Sequence, residues 1–249
     1  MSGAWRPRDL VLFLAVFALL LLVIAPVLTS LAYTTLQPLL GWRVPVQALA
    51  TNPFFLLAVQ TVFYVLLLSY VYLLIVVNYG QAFWTALGWR RPSVRQAMLF
   101  FLGGLVLCLF VQLAPPVLPD MEDFPLRRMF SSPAAGFAIA AFAILGAPLA
   151  EELVFRGVFF RFFESQAGVK LAVLGTAALF AGMHVPQYWG AWNHVLLISL
   201  VGVAFSLARG LTGSLAPSVI LHLAYNAGLM VAFFLETRQF QALGNMLAG

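Results

Sequence analysis

The stretch F-A-I-A-A-F-A-I-L-G-A-P-L-A-E-E-L-V-F-R-G, Phe137 to Gly157, runs fourteen residues without a charge and then sets two carboxylates and a guanidinium close together. The uncharged part reads as membrane, where ionisable groups are costly and face a cavity or a partner. Composition supports that reading: 63% of residues are hydrophobic, 8% are charged, and the mean hydropathy of +1.00 is far above that of a soluble globular domain. With 249 residues and no long polar segment, the chain has room for several spans but not for a separate soluble domain, so residues 1–249 read as one integral membrane domain.

Working outward, seven apolar segments are long enough, or nearly so, to cross a hydrocarbon core of ~30 Å at about 1.5 Å per residue. They are Leu10 to Leu31, Phe54 to Val77, Ala97 to Leu113, Ala134 to Phe163, Lys170 to Val185, Val195 to Arg209 and Leu215 to Leu235. The fifth and sixth are short and carry polar residues, which leaves room for an eighth, re-entrant or interfacial piece between Trp42 and Asn52. The expected class is therefore all-α: a polytopic transmembrane bundle of seven or eight helices. Open strands would leave backbone groups unpaired in lipid, and no alternating barrel pattern is present. The first apolar run has no A-x-A cleavage site and reads as a retained helix.

The 13 Lys and Arg against 8 Asp and Glu are scattered through loops rather than gathered in one run, so they fit topology determinants better than a nucleic-acid surface. A cytoplasmic N-terminus places Arg6, Arg8, Arg90, Arg91, Arg95, Arg161, Lys170 and Arg209 inside, and Arg43, Arg127, Arg128 and Arg238 outside. The expected setting is a multi-pass protein of the cell membrane, with the bilayer and a membrane peptide as partners and no nucleic acid. Lone Cys108 excludes a disulfide framework and a thiolate zinc site, and reads as packing. The polar stretch Pro115 to Pro133, with three acids, two arginines and five prolines, reads as an extracytoplasmic loop, either a lid or a plain connector.

Of the eight acids, only Glu151 and Glu152 lie well inside an apolar segment, and His184 and His222 lie within or near the ends of two others. Counted from the turn near Gln166, Glu151 and His184 rise to roughly 22–27 Å of helix path, and His222 and Asn226 reach overlapping depth from Gly213. Glu152 and Arg156 are i and i+4 and can pair, which makes two buried charges tolerable, while Glu151 points about 100° away. His222 and Asn226 share one face by the same spacing, and Phe180 can wall the pocket that holds His184. Each of these residues could instead be an interhelical staple.

A carboxylate beside a neutral imidazole can hold and deprotonate water, and a second His with an Asn amide can donate to an oxyanion. Such a set suits peptide-bond hydrolysis and needs no cofactor. The donors Glu151, His184 and His222 are also those a zinc ion would take, although H-E-x-x-H is absent. A proton- or cation-coupled transporter would use Glu151 and Glu152 as ion sites, with Pro148 breaking segment four; a non-catalytic peptide-binding or self-immunity protein is a third class.

E-E-L-V-F-R at Glu151 to Arg156, F-A-G-M-H at Phe180 to His184 and H-L-A-Y-N at His222 to Asn226 resemble the ordered motifs E-E-x-x-x-R, F-x-x-x-H and H-x-x-x-N of the CAAX protease and bacteriocin-processing family, the type II CAAX prenyl endopeptidases. The resemblance covers residues 134–235. It implies an intramembrane endopeptidase in which Glu151 and His184 activate water, His222 and Asn226 stabilise the oxyanion, and Glu152 and Arg156 support them. Members are often labelled metalloproteases, and prokaryotic members act on substrates other than prenylated proteins.

Overall fold

A computed structural model describes residues 6–40, 45–49, 51–114 and 129–240, residues 40 and 47 by backbone alone. The described residues are helical and contain no strand. Six helices are long and apolar enough to cross a membrane. The first three are α1 (Pro7–Leu39), α2 (Pro53–Asn78) and α3 (Val94–Gln112). The fourth, Pro133–His184, has 52 residues and leaves helical geometry at Ala167 and Gly168; its arms are α4 (133–166) and α5 (169–184). Then come α6 (Trp192–Thr212) and α7 (Leu215–Glu236).

The seven apolar segments thus occupy six helices of spanning length, the fourth and fifth being two arms of one. Between Trp42 and Asn52 the described residues hold the single turn Val46–Leu49, and residues 42–44 and 50 lie outside the described residues. Residues 115–128 of the polar connector lie outside the described residues.

Local sequence fixes the helix ends. Asn52 accepts from the Phe55 N–H ahead of Pro53, and Ser132 accepts from Ala135 ahead of Pro133, so each cap is followed by a proline whose missing N–H costs nothing in the first turn. Ser93 and Gln96 form a reciprocal capping box on α3. The α4–α5 reversal depends on Gly168 at φ 78° and ψ 179°, a conformation side chains rarely allow. Across the reversal, Phe163 packs on Gly175 and Phe155 meets Phe180 edge-on at 5.3 Å.

Small residues let the helices approach. A β-carbon at Gly104 of α3 would stand 2.4 Å from the Leu221 carbonyl of α7, and one at Gly228 would stand 2.8 Å from Cys108 Sγ. Association in lipid relies on such packing because burying apolar surface there gains little. Cys108 is accordingly a buried packing residue. Helix α1 joins through Phe13 against Phe159 (5.2 Å) and Phe17 against Phe63 (5.3 Å). From Leu20 onward an apolar cleft of 520 Å³ lies between it and α2.

Candidate active site

Both acids are on α4, and the backbone register changes on either side of them. The Ala147 N–H bonds five residues back to the Phe142 carbonyl, and the Phe160 N–H bonds likewise to Phe155. Ala147–Glu152 is therefore a short α-helical piece between two π-helical stretches, a feature frequent at functional positions. The first stretch has a cause in the sequence. Pro148 has no N–H and Ala147 has given its own to Phe142, so the Ala143 carbonyl receives no donor from its own helix. Asn226 Nδ2 of α7 donates to it at 2.7 Å. Pro148 shifts the register of segment four and does not break it. At the second stretch the Arg156 carbonyl accepts from Arg209 Nε at 3.2 Å.

Glu152 is fully buried and fully engaged. Its Oε1 accepts from Arg156 Nη1 and from His222 Nδ1, each at 2.9 Å, and its Oε2 accepts from the Ser218 hydroxyl. The i,i+4 pair expected from spacing is formed, and both oxygens of Glu152 are held by donors. Arg156 is held as tightly: Nε donates to Ser206 Oγ at 3.2 Å and Nη2 to the Gly202 carbonyl at 2.8 Å. The guanidinium lies 4.7 Å from the Phe180 ring centroid and 5.3 Å from that of Phe205.

Glu151 differs from its neighbour in each of these respects. Its side chain keeps 19% exposure, and its Oε2 faces His222 Nε2 across 3.9 Å, too far for a direct hydrogen bond but a separation a water can bridge. Its Oε1 accepts from the Tyr64 hydroxyl of α2 at 3.2 Å. The Tyr64 ring lies parallel to Phe142 at 6.0 Å, which fixes the direction of that hydroxyl.

His222 stands between the two acids, stacked on Phe205 at 4.2 Å. His184 bonds through Nδ1 to the Phe180 carbonyl at 2.7 Å, and because a carbonyl can only accept, Nδ1 is the donor, so a neutral ring would carry its lone pair on Nε2. Its ring packs on Phe180 at 4.7 Å. Phe180 thus touches His184, His222 and Arg156 together. The imidazole facing Glu151 within ion-pair range is that of His222 and not of His184.

Glu151, Glu152, Arg156, Phe180 and His222 form one contact network, with His184 attached through Phe180. Asn226 is engaged about two turns away along α4. Sequence reading missed Tyr64, Gly202, Ser206, Arg209 and Ser218. Ser218 is one turn before His222 on the same face and was within reach of a spacing argument; Tyr64 carried no such signal. His194, outside the network, is half-buried and stacked on Tyr188 at 5.6 Å. Among the described residues no three of His, Cys, Asp or Glu stand close enough together to hold a metal ion.

Residues 133–228 match the family described as type II CAAX prenyl endopeptidase Rce1-like. The matched stretch runs from the start of α4 into α7 and contains all seven candidate residues, from Glu151 to Asn226. Over it the chain is similar to a family of membrane endopeptidases, in keeping with its multi-pass helical architecture. No curated protein and no solved structure matches the chain.

Proposed function

We propose that this chain is an intramembrane endopeptidase that hydrolyses a peptide bond in or next to the bilayer through a water activated by Glu151. The observation that carries the reading is the contrast between the adjacent acids. Glu152 spends its acceptors on Arg156, His222 and Ser218, while Glu151 keeps exposure and an open side toward His222.

In this scheme water sits between Glu151 Oε2 and the imidazoles. His184 Nε2 accepts one of its hydrogens, and Glu151 takes the proton as the oxygen attacks the carbonyl carbon. His222 with protons on both nitrogens keeps one on Glu152 and gives the other as a hydrogen bond to the developing oxyanion. Asn226 Nδ2 has a second hydrogen besides the one used on Ala143 and can join it. The proton held by Glu151 then passes to the leaving amine as the C–N bond breaks, so the cycle closes without a cofactor. The Tyr64 hydroxyl holds Glu151 in place throughout.

The test is cleavage of membrane peptides by the full chain in nanodiscs, read as new termini by mass spectrometry. Glu151→Gln, His184→Ala and His222→Ala are each expected to lower kcat about 10²–10⁴-fold. Retained cleavage in all three would sink the mechanism. Activity that disappears under strong chelation and returns with zinc would replace the metal-free scheme.

A further inference from the structure

At the end of the bundle where α6 gives way to α7 and the α4–α5 reversal lies, Arg161 and Arg209 converge on one glycine, and Arg90 lies nearby against Gly213. Gly88 has φ +77°, and a β-carbon built on it would stand 2.7 Å from Arg209 Nη2 and 2.9 Å from Arg161 Nη2. Two guanidinium ends are thus pressed against the same point. Arg90, two residues on, bonds through Nη2 to the Thr212 carbonyl at 2.9 Å and lies, with Glu164, within electrostatic reach of Arg209. Leu215 N–H bonds to the Gly88 carbonyl at 3.0 Å, and Ser214 Oγ donates to the Arg90 carbonyl at 3.0 Å, so the scaffold around the cluster is tied together.

What these cations lack is a direct ion pair. Among the described residues no carboxylate lies within 4.0 Å of Arg90, Arg161 or Arg209, and Glu164, though within electrostatic reach of Arg209, forms no ion pair with them. Arg161 reaches only the Thr85 carbonyl, at 3.4 Å, and its buried Nε has no partner. Arg209 is 2% exposed and donates only through Nε to the Arg156 carbonyl. Like charges held together without an ion pair are arranged for an anion that arrives from outside.

We propose that Arg90, Arg161 and Arg209 around Gly88 bind a phosphate-bearing anion, supplied by the headgroup of an anionic phospholipid. A membrane end is where such headgroups lie, and basic pockets between transmembrane helices bind them. The site stands apart from Glu151, and the Arg209 link to the Arg156 carbonyl connects the two.

The experiment places the full chain in nanodiscs of phosphatidylcholine with phosphatidylglycerol and measures, by native mass spectrometry, the lipid retained after mild detergent exchange. The wild type is expected to retain phosphatidylglycerol preferentially, and Arg161→Gln and Arg90→Gln, each removing one charge, to lower retention about fivefold. Arg161→Lys should recover part of it. Equal retention of both lipids by the wild type, or unchanged retention in both folded Gln variants, overturns the proposal. A second arm titrates delipidated protein with inorganic phosphate: stabilisation by phosphate that Arg161→Gln abolishes, without lipid preference, assigns the anion site to a soluble phosphate and overturns the lipid source.

Discussion

At Glu152 the positive charge of Arg156 meets a carboxylate at 2.9 Å, whereas beside Gly88 the guanidiniums of Arg161 and Arg209 meet each other. Both regions are buried or nearly so, and they manage charge in opposite ways. Glu152 and Arg156 are fully buried, out of reach of water and headgroups, and two unit charges 4 Å apart interact by about 4 kcal/mol at an effective dielectric constant near 20, so an unpaired charge is not tolerated there. At the end of the bundle a counter-ion can come from outside, and the chain leaves its arginines without an ion pair. The same contrast exists on a smaller scale within the central group: Glu152 is closed by its donors, and Glu151 is left with an open side.

Removing one partner of the closed pair should break this comparison most severely. Arg156→Met strands a buried carboxylate and is expected to cost about 3–5 kcal/mol of stability, read by thermal unfolding in nanodiscs. Arg156→Met with Glu152→Gln should recover much of that, since the charge that needed a partner is gone. Recovery of nothing would mean that the guanidinium acts through its packing on Phe180 and Phe205 alone.

Asn226→Ala leaves the Ala143 carbonyl without a donor and is expected to cost about 1–3 kcal/mol. Pro148→Ala restores an N–H five residues after Ala143, so the double variant should lose less than Asn226→Ala by itself. Additive losses would show that Asn226 does not serve the carbonyl freed by Pro148.

Tyr64→Phe keeps the ring against Phe142 and deletes the hydroxyl that holds Glu151. About a tenfold fall in kcat with KM nearly unchanged is expected, equivalent to about 1.4 kcal/mol. A change in KM alone would make Tyr64 a substrate contact. The smallest effect should come from the open cluster: Arg161→Gln is expected to change stability in neutral lipid by no more than about 0.5 kcal/mol, since it removes a like charge and only one long hydrogen bond. A loss of several kcal/mol there would mean that Arg161 is structural.

Much of the fold was readable from the chain because lipid admits few solutions. Long uncharged runs can only be helices, and each expected segment lies in one. The count was less readable, since helix length does not say whether a 52-residue helix with a break at Gly168 is one span or two. At the site, the Glu152–Arg156 pair followed from i,i+4 spacing, and the nearness of His222 to the acids followed from depth. That His222, and not His184, would face Glu151 did not follow: depth along an axis says nothing about rotation around it, and the two π-helical stretches alter the rotation of everything after them.

By itself the sequence determined that the chain is a helical membrane protein whose few interior charges gather on three segments, because hydropathy and helical period are local properties. Only the tertiary structure decided which charges face which partners. It brought Tyr64 from the unmatched half of the chain to Glu151, gave Asn226 the carbonyl that Pro148 cannot serve, and set Arg161 and Arg209 against Gly88 without an ion pair. Those arrangements depend on helix rotation and register between segments distant in the chain, which residue order alone does not encode.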